Sequence, residues 1–428
     1  MRLRLSTLVV CLACGTTSVA WGQVGMTSAT GPNLETMSYG GLQGISPRNG
    51  PVGAKLGEGT LLHAALGADI GYDSNVFYST TPTSATVAHV MPAVDISNAS
   101  RDGSVPDDVY YDLGASLVYR EYLSGGDAVR SQRAFSPSVG GLLRLSSRQT
   151  LSLALSDSFA RTADPPYSPG APVITHDRNI ASVDLRLAPG GGRIQLVARY
   201  NNVLDLYETS GYEKSNNMGN EGVLDLSWRW LPKTAFFMQV AQGVVTYLRS
   251  DSGRSASYPF RAMAGLRGLL TEKLALNLGA GYTNAFYASG STTSGFGNVI
   301  LVGELIYNMS LTSKAGLGYR HDFQNSPFVG NFYNLDAVYA ALREYIGGRV
   351  ATAAYARFEN RRYQGLAQSR TDQVVIGGLT ADYVIQRVLY IGVGYTLTLA
   401  RTDNTNPATN GGNDFTKHVV VARVGVVY

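Results

Sequence analysis

The sequence predicts an all-β chain, a transmembrane antiparallel up-and-down β-barrel of about eighteen strands, with sixteen as the alternative count. Three observations predict it: an alternating segment at the C-terminal end, a period of two that recurs from Leu61 onward, and connections that alternate between short and long. In residues 417–428 (KHVVVARVGVVY), Val420, Ala422, Val424, Val426 and Tyr428 share one face, because successive side chains of a strand point to opposite sides. The other face carries Val419, Val421, Arg423, Gly425 and Val427, so one side is wholly apolar while the other admits an arginine.

Across 428 residues no Pro-rich linker or abrupt change of composition divides the chain, which favours one large unit. Charged residues make up only 15%, against about 25% in ordinary globular domains, and hydrophobic residues 44%. With 49 Gly, 26 Tyr and no apolar run after residue 20 long enough for a membrane helix, the chain has to meet lipid through alternate residues. The formal charge of +4 falls to +2 once Arg2 and Arg4 leave with the leader, and it is not gathered in basic patches, which excludes a nucleic-acid binder.

Residues 1–20 read as a signal peptide: Arg2 and Arg4 supply the positive region, residues 5–15 the apolar core, and Ser18-Val19-Ala20 a small-x-small cleavage site. A lipoprotein reading through Cys14 is weaker, since Cys11 stands where that motif takes Leu or Val. Both cysteines fall in the leader, so the mature chain needs neither disulfide nor thiolate chemistry. Residues 21–60, rich in Gly, Ser, Thr and Pro without a period, are expected to be an irregular periplasmic segment, either loose or entering the lumen as a partial plug. The barrel then occupies residues 61–428.

The first strand, 61–78, alternates Leu62, Ala64, Leu66, Ala68, Ile70 and Tyr72 with His63, Ala65, Gly67, Asp69 and Gly71. The second, 86–98, is the least secure because Pro92 cannot donate to a ladder, and it is kept because two periplasmic termini require an even count. The third, 108–122, sets Val109, Tyr111, Leu113, Ala115, Leu117 and Tyr119 against Tyr110, Asp112, Gly114, Ser116, Val118 and Arg120. The same period carries 131–145, 150–161, 178–188 and 193–205. At 221–230, Leu224, Leu226, Trp228 and Trp230 oppose Asp225, Ser227 and Arg229. Further strands are expected at 234–247, 258–270, 274–286, 297–308, 313–323, 332–344, 349–359 and 371–385. In 387–400, Leu389, Ile391, Val393, Tyr395 and Leu397 oppose Tyr390, Gly392, Gly394 and Thr396, and 417–428 ends the ring. Helical spacing fails in each segment because any i, i+3, i+4 stripe mixes in Arg, Asp and Gly.

The connections at 146–149, 189–192, 231–233, 271–273 and 346–348 are short, whereas 162–177, 206–220, 248–257 and 402–416 are long and polar. This is the turn and loop asymmetry of an outer-membrane barrel. Aromatic residues gather near strand ends, namely Tyr72, Tyr119, Trp228, Trp230, Tyr282, Tyr307, Tyr319, Tyr383 and Tyr428, where interfacial girdles belong. The competing reading, core packing in a large soluble β-protein, leaves the leader, the low charge and the loop asymmetry unexplained.

The alternation turns a set of charged residues toward the lumen: Asp69, Asp112, Arg120, Arg144, Asp184, Arg186, Arg199, Asp225, Arg229, Arg261, Arg267, Glu304, Arg320, Asp336, Arg357, Asp382 and Arg423. Arginines outnumber carboxylates, which suits a pore with a mild preference for anions or acidic saccharides. The alternative is that these charges pair across neighbouring strands and stiffen the wall. Tyr110, Tyr122, Tyr355 and Tyr390 are further lumen candidates whose ring faces could stack on sugar rings.

No catalytic constellation, metal motif or cofactor box is legible. The five histidines are scattered one per segment, and only His176 with Asp177, on a long connection, offers a catalytic pair. The triple glycine at 190–192 precedes a strand and reads as a turn, not a phosphate cradle.

Two resemblances add to this reading. The C-terminal strand, with Val420, Ala422, Val424, Val426 and Tyr428 on one face, resembles the terminal recognition segment of outer-membrane barrels, which implies the barrel assembly machinery as a partner. The segment GADIGYDSNVFYS at 67–79, with Tyr72, Asp73, Ser74, Asn75, Val76 and Phe77, followed by HVMPAVDIS and the Tyr-rich strand around Tyr110, resembles the opening of the beta-barrel porins of type two. The later strands agree with that family in pattern alone. The resemblance implies a channel or porin in the outer membrane of a Gram-negative cell, with exopolysaccharide or other saccharides as substrate and export components as partners. A structural or partner-docking barrel, closed by its N-terminal segment or loops, is the alternative, and an outer-membrane enzyme a third reading. Beyond outer-membrane lipid, no nucleic acid, cofactor or metal is expected.

Overall fold

The computed structural model describes residues 53–57, 59–99, 106, 108–146, 149–163, 174–250, 252, 254–287, 296–310, 312–325, 332–364, 366, 368–385, 388–405 and 414–428. Among them, nineteen strands form a single sheet. In order they are β1 (Ala54–Gly57), β2 (Thr60–Asp73), β3 (Ala85–Ser97), β4 (Val109–Tyr122), β5 (Ala134–Leu145), β6 (Leu151–Ala163) and β7 (Thr175–Leu187). Next come β8 (Ile194–Tyr207), β9 (Asn217–Leu231), β10 (Thr234–Tyr247), β11 (Ser257–Leu269), β12 (Leu274–Tyr287) and β13 (Phe296–Asn308). The last are β14 (Lys314–Asn325), β15 (Phe332–Ile346), β16 (Val350–Gln364), β17 (Arg370–Ile385), β18 (Leu389–Thr402) and β19 (Phe415–Val427). Each strand from β2 to β19 pairs antiparallel with its successor, and β19 returns to β2 from Val427↔Ala65 to Val419↔Asp73. The result is a closed antiparallel barrel of 18 strands, as expected from the sequence. Closure leaves none of the ring strands β2–β19 with an open edge, the condition for a sheet to stand in hydrocarbon.

Several details differ from the expectation. The first strand ends at Asp73 and not at 78, because the five residues that follow fold back into the first long loop, where Tyr78 takes a positive φ of 51°. Residues 131–133 belong to the turn after a short helix, Asp127–Arg130, so β5 starts at Ala134. β16 runs five residues further than expected, to Gln364. The signal peptide and most of the segment 21–60 lie outside the described residues, but the end of that segment is not irregular. β1 pairs with the start of β2, Ala54↔Leu62 and Gly57↔Thr60. The physical reason lies in the seam: β19 reaches only as far as Tyr428, which exchanges hydrogen bonds with Ala64, and β1 takes up the stretch of β2 edge beyond it.

Pro92 sits within β3, and the ladder shows how it is tolerated. The β3–β4 pairing runs from Val87↔Tyr122 to Val90↔Tyr119, lapses at Met91 and Pro92, and resumes at Ala93↔Ser116. Pro259 in β11 produces the same lapse against β10, between Gln242↔Phe260 and Val245↔Ser257. A proline that has no N–H to donate loses one neighbour's ladder locally while its other neighbour still pairs.

The ring strands alternate between a more exposed outer face and a shielded inner one. Leu66, Leu224, Leu379, Val393 and Val426 stand exposed on the outside, while Asp69, Asp225, Asp372 and Thr398 are buried inside. This is inverted relative to a soluble protein, where burial of apolar surface drives folding. All nine aromatics expected at girdle positions face outward. Three on the long-loop half of the barrel have polar partners for their hydroxyls: Tyr119 donates to Glu121, Tyr319 to Asp336 at 3.0 Å, and Tyr282 accepts from Asn284 at 2.9 Å. Such rings place an apolar body below and a hydrogen-bonding tip above, as an interface requires. Among the described residues no helix is long and apolar enough to cross a membrane.

Inward-facing glycines make room for neighbouring rings. Gly318 lies opposite Tyr339 across β14 and β15, and a Cβ there would stand 2.3 Å from that ring. Gly378 stands in the same relation to Tyr355 across β16 and β17. Gly318→Val is therefore expected to push Tyr339 off the wall and cost about 1–3 kcal/mol by overpacking, read as a lower urea midpoint of the refolded barrel, with Gly318→Ala intermediate.

Candidate functional site: the lumen wall

All the charged residues expected to line the lumen occupy inner-face positions except Asp336. On β15 the inner face is Leu335, Ala337, Tyr339 and Ala341, so Asp336 shares the outer face with exposed Val338 and Leu342. There it meets His321 Nδ1 at 2.6 Å. The outward apolar row Val338 and Leu342 would have revealed its parity; the inner row of Leu and Ala masked it. Arg229 keeps inner parity but lies exposed near the short-turn rim.

Most of the remaining charges have a polar partner on a nearby strand, while Arg120 donates to the Ala163 carbonyl at 2.8 Å. Arg423 Nε donates to Asp382 Oδ1 at 2.6 Å, and Arg199 grips Asp184 across β7 and β8 with both carboxylate oxygens engaged. Arg267 Nη1 donates to Asp225 at 3.0 Å, and Gln239 adds a third contact to the same carboxylate. Arg261 and Arg320 both donate to Asp322, at 2.9 and 3.0 Å. Glu304 accepts from Tyr339 at 2.8 Å, Asp112 from Tyr110 at 2.9 Å, and Asp69 lies 2.6 Å from His89 Nδ1.

Of the densest part of the wall, sequence reasoning picked out only Arg357. On β16, Arg357, Glu359 and Arg361 stand in one inward row, with Glu359 held between the two guanidinium groups; Arg361 Nε donates to it at 2.7 Å. On β17, Arg370 grips Asp372 at 2.7 and 2.9 Å, and both side chains are almost fully buried. Arg361 lies over the Tyr333 ring at 5.7 Å and Arg370 over Tyr363 at 4.8 Å, so the guanidinium planes are layered with tyrosines. The signal was present: Arg, Glu and Arg recur at every second residue of 357–361, with Phe358 between them. Buried Asp73, Asp95 and Asp205, with Glu359 and Asp372, narrow the arginine excess that the sequence suggested, even with Arg361, Arg370 and Lys417 counted beside them. The pairing alternative thus describes this wall better than an anion-attracting ring.

The tyrosines expected in the lumen, Tyr110, Tyr122, Tyr355 and Tyr390, all face inward. His176 and Asp177 do not form a pair. They lie in β7, so they point to opposite sides: His176 Nε2 meets Asp205 at 2.8 Å inside and stacks on Tyr207, while Asp177 accepts from Arg161 Nε at 2.7 Å outside. Among the described residues no cluster of His, Cys, Asp and Glu could hold a metal ion.

The 67–79 segment has a structural task at the long-loop rim. Asn75 is wholly buried; its side chain donates to the Ser79 carbonyl at 2.8 Å and the Thr416 carbonyl at 3.2 Å, and accepts from the Ser79 amide. Asp73 meets Lys417 Nζ at 2.8 Å, and Lys417 lies 3.9 Å from the Tyr78 ring centre. These contacts clamp β2 to β19, the first ring strand to the last. The loop residue Val76 and helix residue Val129 then turn inward and pack on Val87 and Tyr122, narrowing the mouth on that side.

No family model matches the sequence, and no curated protein does. Solved structures similar to it include OccAB3 of Acinetobacter baumannii, at 12% identity and a TM-score of 0.46 over 86% of this chain and 99% of that one. OpdK of Pseudomonas aeruginosa, crystallised with vanillate, shows 11% identity and a TM-score of 0.46 over 87% of this chain and 99% of that one. The alcaligin outer membrane receptor FauA of Bordetella pertussis shows 15% identity and a TM-score of 0.40 over 86% of this chain and 76% of that one. These likenesses are distant, and function has to be read from this chain's own geometry.

Proposed function

We propose that this chain is an outer-membrane channel of a Gram-negative cell, exported by its signal peptide and inserted by the barrel assembly machinery through the strand that ends on Tyr428. The observation that carries this reading is the closed ring with an exposed apolar outside and a charged, hydrogen-bonding inside. The short-turn rim then faces the periplasm and the long loops face outward. Saccharides, exopolysaccharide included, are the proposed substrate class. A wall of ion pairs interleaved with tyrosine rings offers donors, acceptors and stacking faces to a polyhydroxylated solute. Resemblance to the type-two porins supports the same class, and the pairing of His176 with Asp205 gives no support to an enzyme.

In planar bilayers the purified protein is expected to show discrete conductance steps with weak ion selectivity, and liposomes containing it to swell in neutral oligosaccharides. A second reading, a scaffold or docking barrel closed at its mouth, is favoured by the inward-turned Val76 and Val129 cluster. Silent bilayers and unswollen liposomes would establish that reading and remove the channel.

A further inference from the structure

The lumen wall pairs its charges, but its short-turn rim does not. Deeper in the barrel the inward cations are held, as Arg199 is by Asp184, Arg267 by Asp225 and Arg370 by Asp372. Arg186 on β7, Arg229 on β9, Lys314 on β14 and Arg343 on β15 also keep inward positions, yet among the described residues none of them forms an ion pair or a side-chain hydrogen bond. All four stand within three residues of the short-turn end of their strands.

The four make two like-charged pairs. Lys314 and Arg343 are direct partners in the β14–β15 ladder, with neutral Asn308 and Ala353 as their other neighbours. Arg229 reaches the turn between β7 and β8, where a Cβ on Gly192 would stand 3.2 Å from its Nη2, and it repels Arg186. The inward carboxylates two and four positions along these strands, Asp184 and Asp225, are already gripped by Arg199 and Arg267. The short turns between β7 and β12 add Arg193, Lys233 and Lys273 against Glu272. Like charges set directly opposite each other destabilise a ladder, and an anion lying between them removes that cost.

We propose that the short-turn rim of the lumen is an anion site for an acidic saccharide chain, one with carboxylates along its length, as that chain enters the pore. The occupant follows from where the cations stand and how they are spaced. Lipid headgroups of the surrounding leaflet meet the outer face, whereas these side chains belong to the inner one. Half-buried Arg186 and Lys314 lie inside the mouth, where a threaded chain reaches and the surface of a folded protein does not. The two pairs are five strands apart, from β9 to β14, which is about 24 Å along the wall at about 4.8 Å per strand. A small anion therefore meets one pair, and an extended polyanion meets both. Guanidinium groups suit carboxylates because the two planar groups join through parallel N–H···O bonds. The inference rests on the channel reading above and narrows its substrate class, but binding itself needs no open pore.

The test titrates fluorescent oligogalacturonate into the purified protein in detergent at low salt. Arg186→Gln with Arg229→Gln, and separately Lys314→Gln with Arg343→Gln, are each expected to weaken binding about tenfold, and all four together to abolish it. Arg130→Gln with Lys214→Gln removes two exposed cations from the long-loop side and is expected to leave binding unchanged. Heat-modifiable mobility of each variant reports that its barrel is folded. Conducting bilayers with oligogalacturonate binding untouched by the four replacements would remove this site and leave the channel. Silent bilayers with the expected losses of binding would remove the channel while supporting the site. No binding by the wild type, an equal loss in the long-loop variant, or displacement by inorganic phosphate at the same concentration of charge would each overturn the proposal. So would an acidic folded protein, ovalbumin, that binds as tightly and is lost with the same four replacements.

Discussion

Leu379→Arg is expected to block stable insertion, whereas Thr380→Arg, one residue along the same strand, is expected to leave a folded barrel. Leu379 is 58% exposed on the outer face, midway along β17, and Thr380 faces the lumen opposite Gly394, where a long side chain has space. An arginine on the lipid face near the middle of the bilayer costs about 2–4 kcal/mol, while one in a watered lumen costs far less. Folding into lipid vesicles, followed by the shift in gel mobility between heated and unheated samples, separates the two. Equal behaviour of both variants would mean that the outer face does not meet hydrocarbon, and the membrane reading would fail with it.

Lys417→Met is expected to loosen the seam. Lys417 is the ammonium opposite buried Asp73 at 2.8 Å, and its removal leaves that carboxylate shielded from water with no cation beside it, only the neutral Tyr122 hydroxyl, at 3.2 Å, and Asn75 amide, at 3.0 Å, still donating to it. Breaking a buried ion pair by deleting one partner costs about 3–5 kcal/mol. Asn75→Ala, which strips three side-chain hydrogen bonds from the same loop, is expected to cost about 2–4 kcal/mol. Both are measured as lower urea midpoints of the refolded protein. Restoration of the Lys417→Met midpoint by adding Asp73→Asn would show that the lone carboxylate is the cause; an unchanged midpoint in Lys417→Met would show that the seam does not depend on this pair.

The strand count, the spans and the inward or outward parity of nearly every charged residue were legible in the sequence. A period of two is local: it needs only the chain's own pleat and a solvent difference between two faces. Where that rule misled, the cause was local too. At Asp336 the inward neighbours Leu335 and Ala337 are as apolar as the outward Val338, so the contrast that identifies a face is missing. β1 was hidden because a four-residue strand has too few alternations to show a period.

By itself, then, the order of residues determined a closed antiparallel barrel with its oil-facing and water-facing rows, since each strand's alternation is written in consecutive positions. Only the tertiary structure decided which charges meet. Arg267 finds Asp225 across β9 to β11, Lys417 finds Asp73 across the seam, and His176 turns from its neighbour Asp177 to Asp205. Those partners depend on the register of one strand against the next, and register arises from the summed pairing of the whole ring.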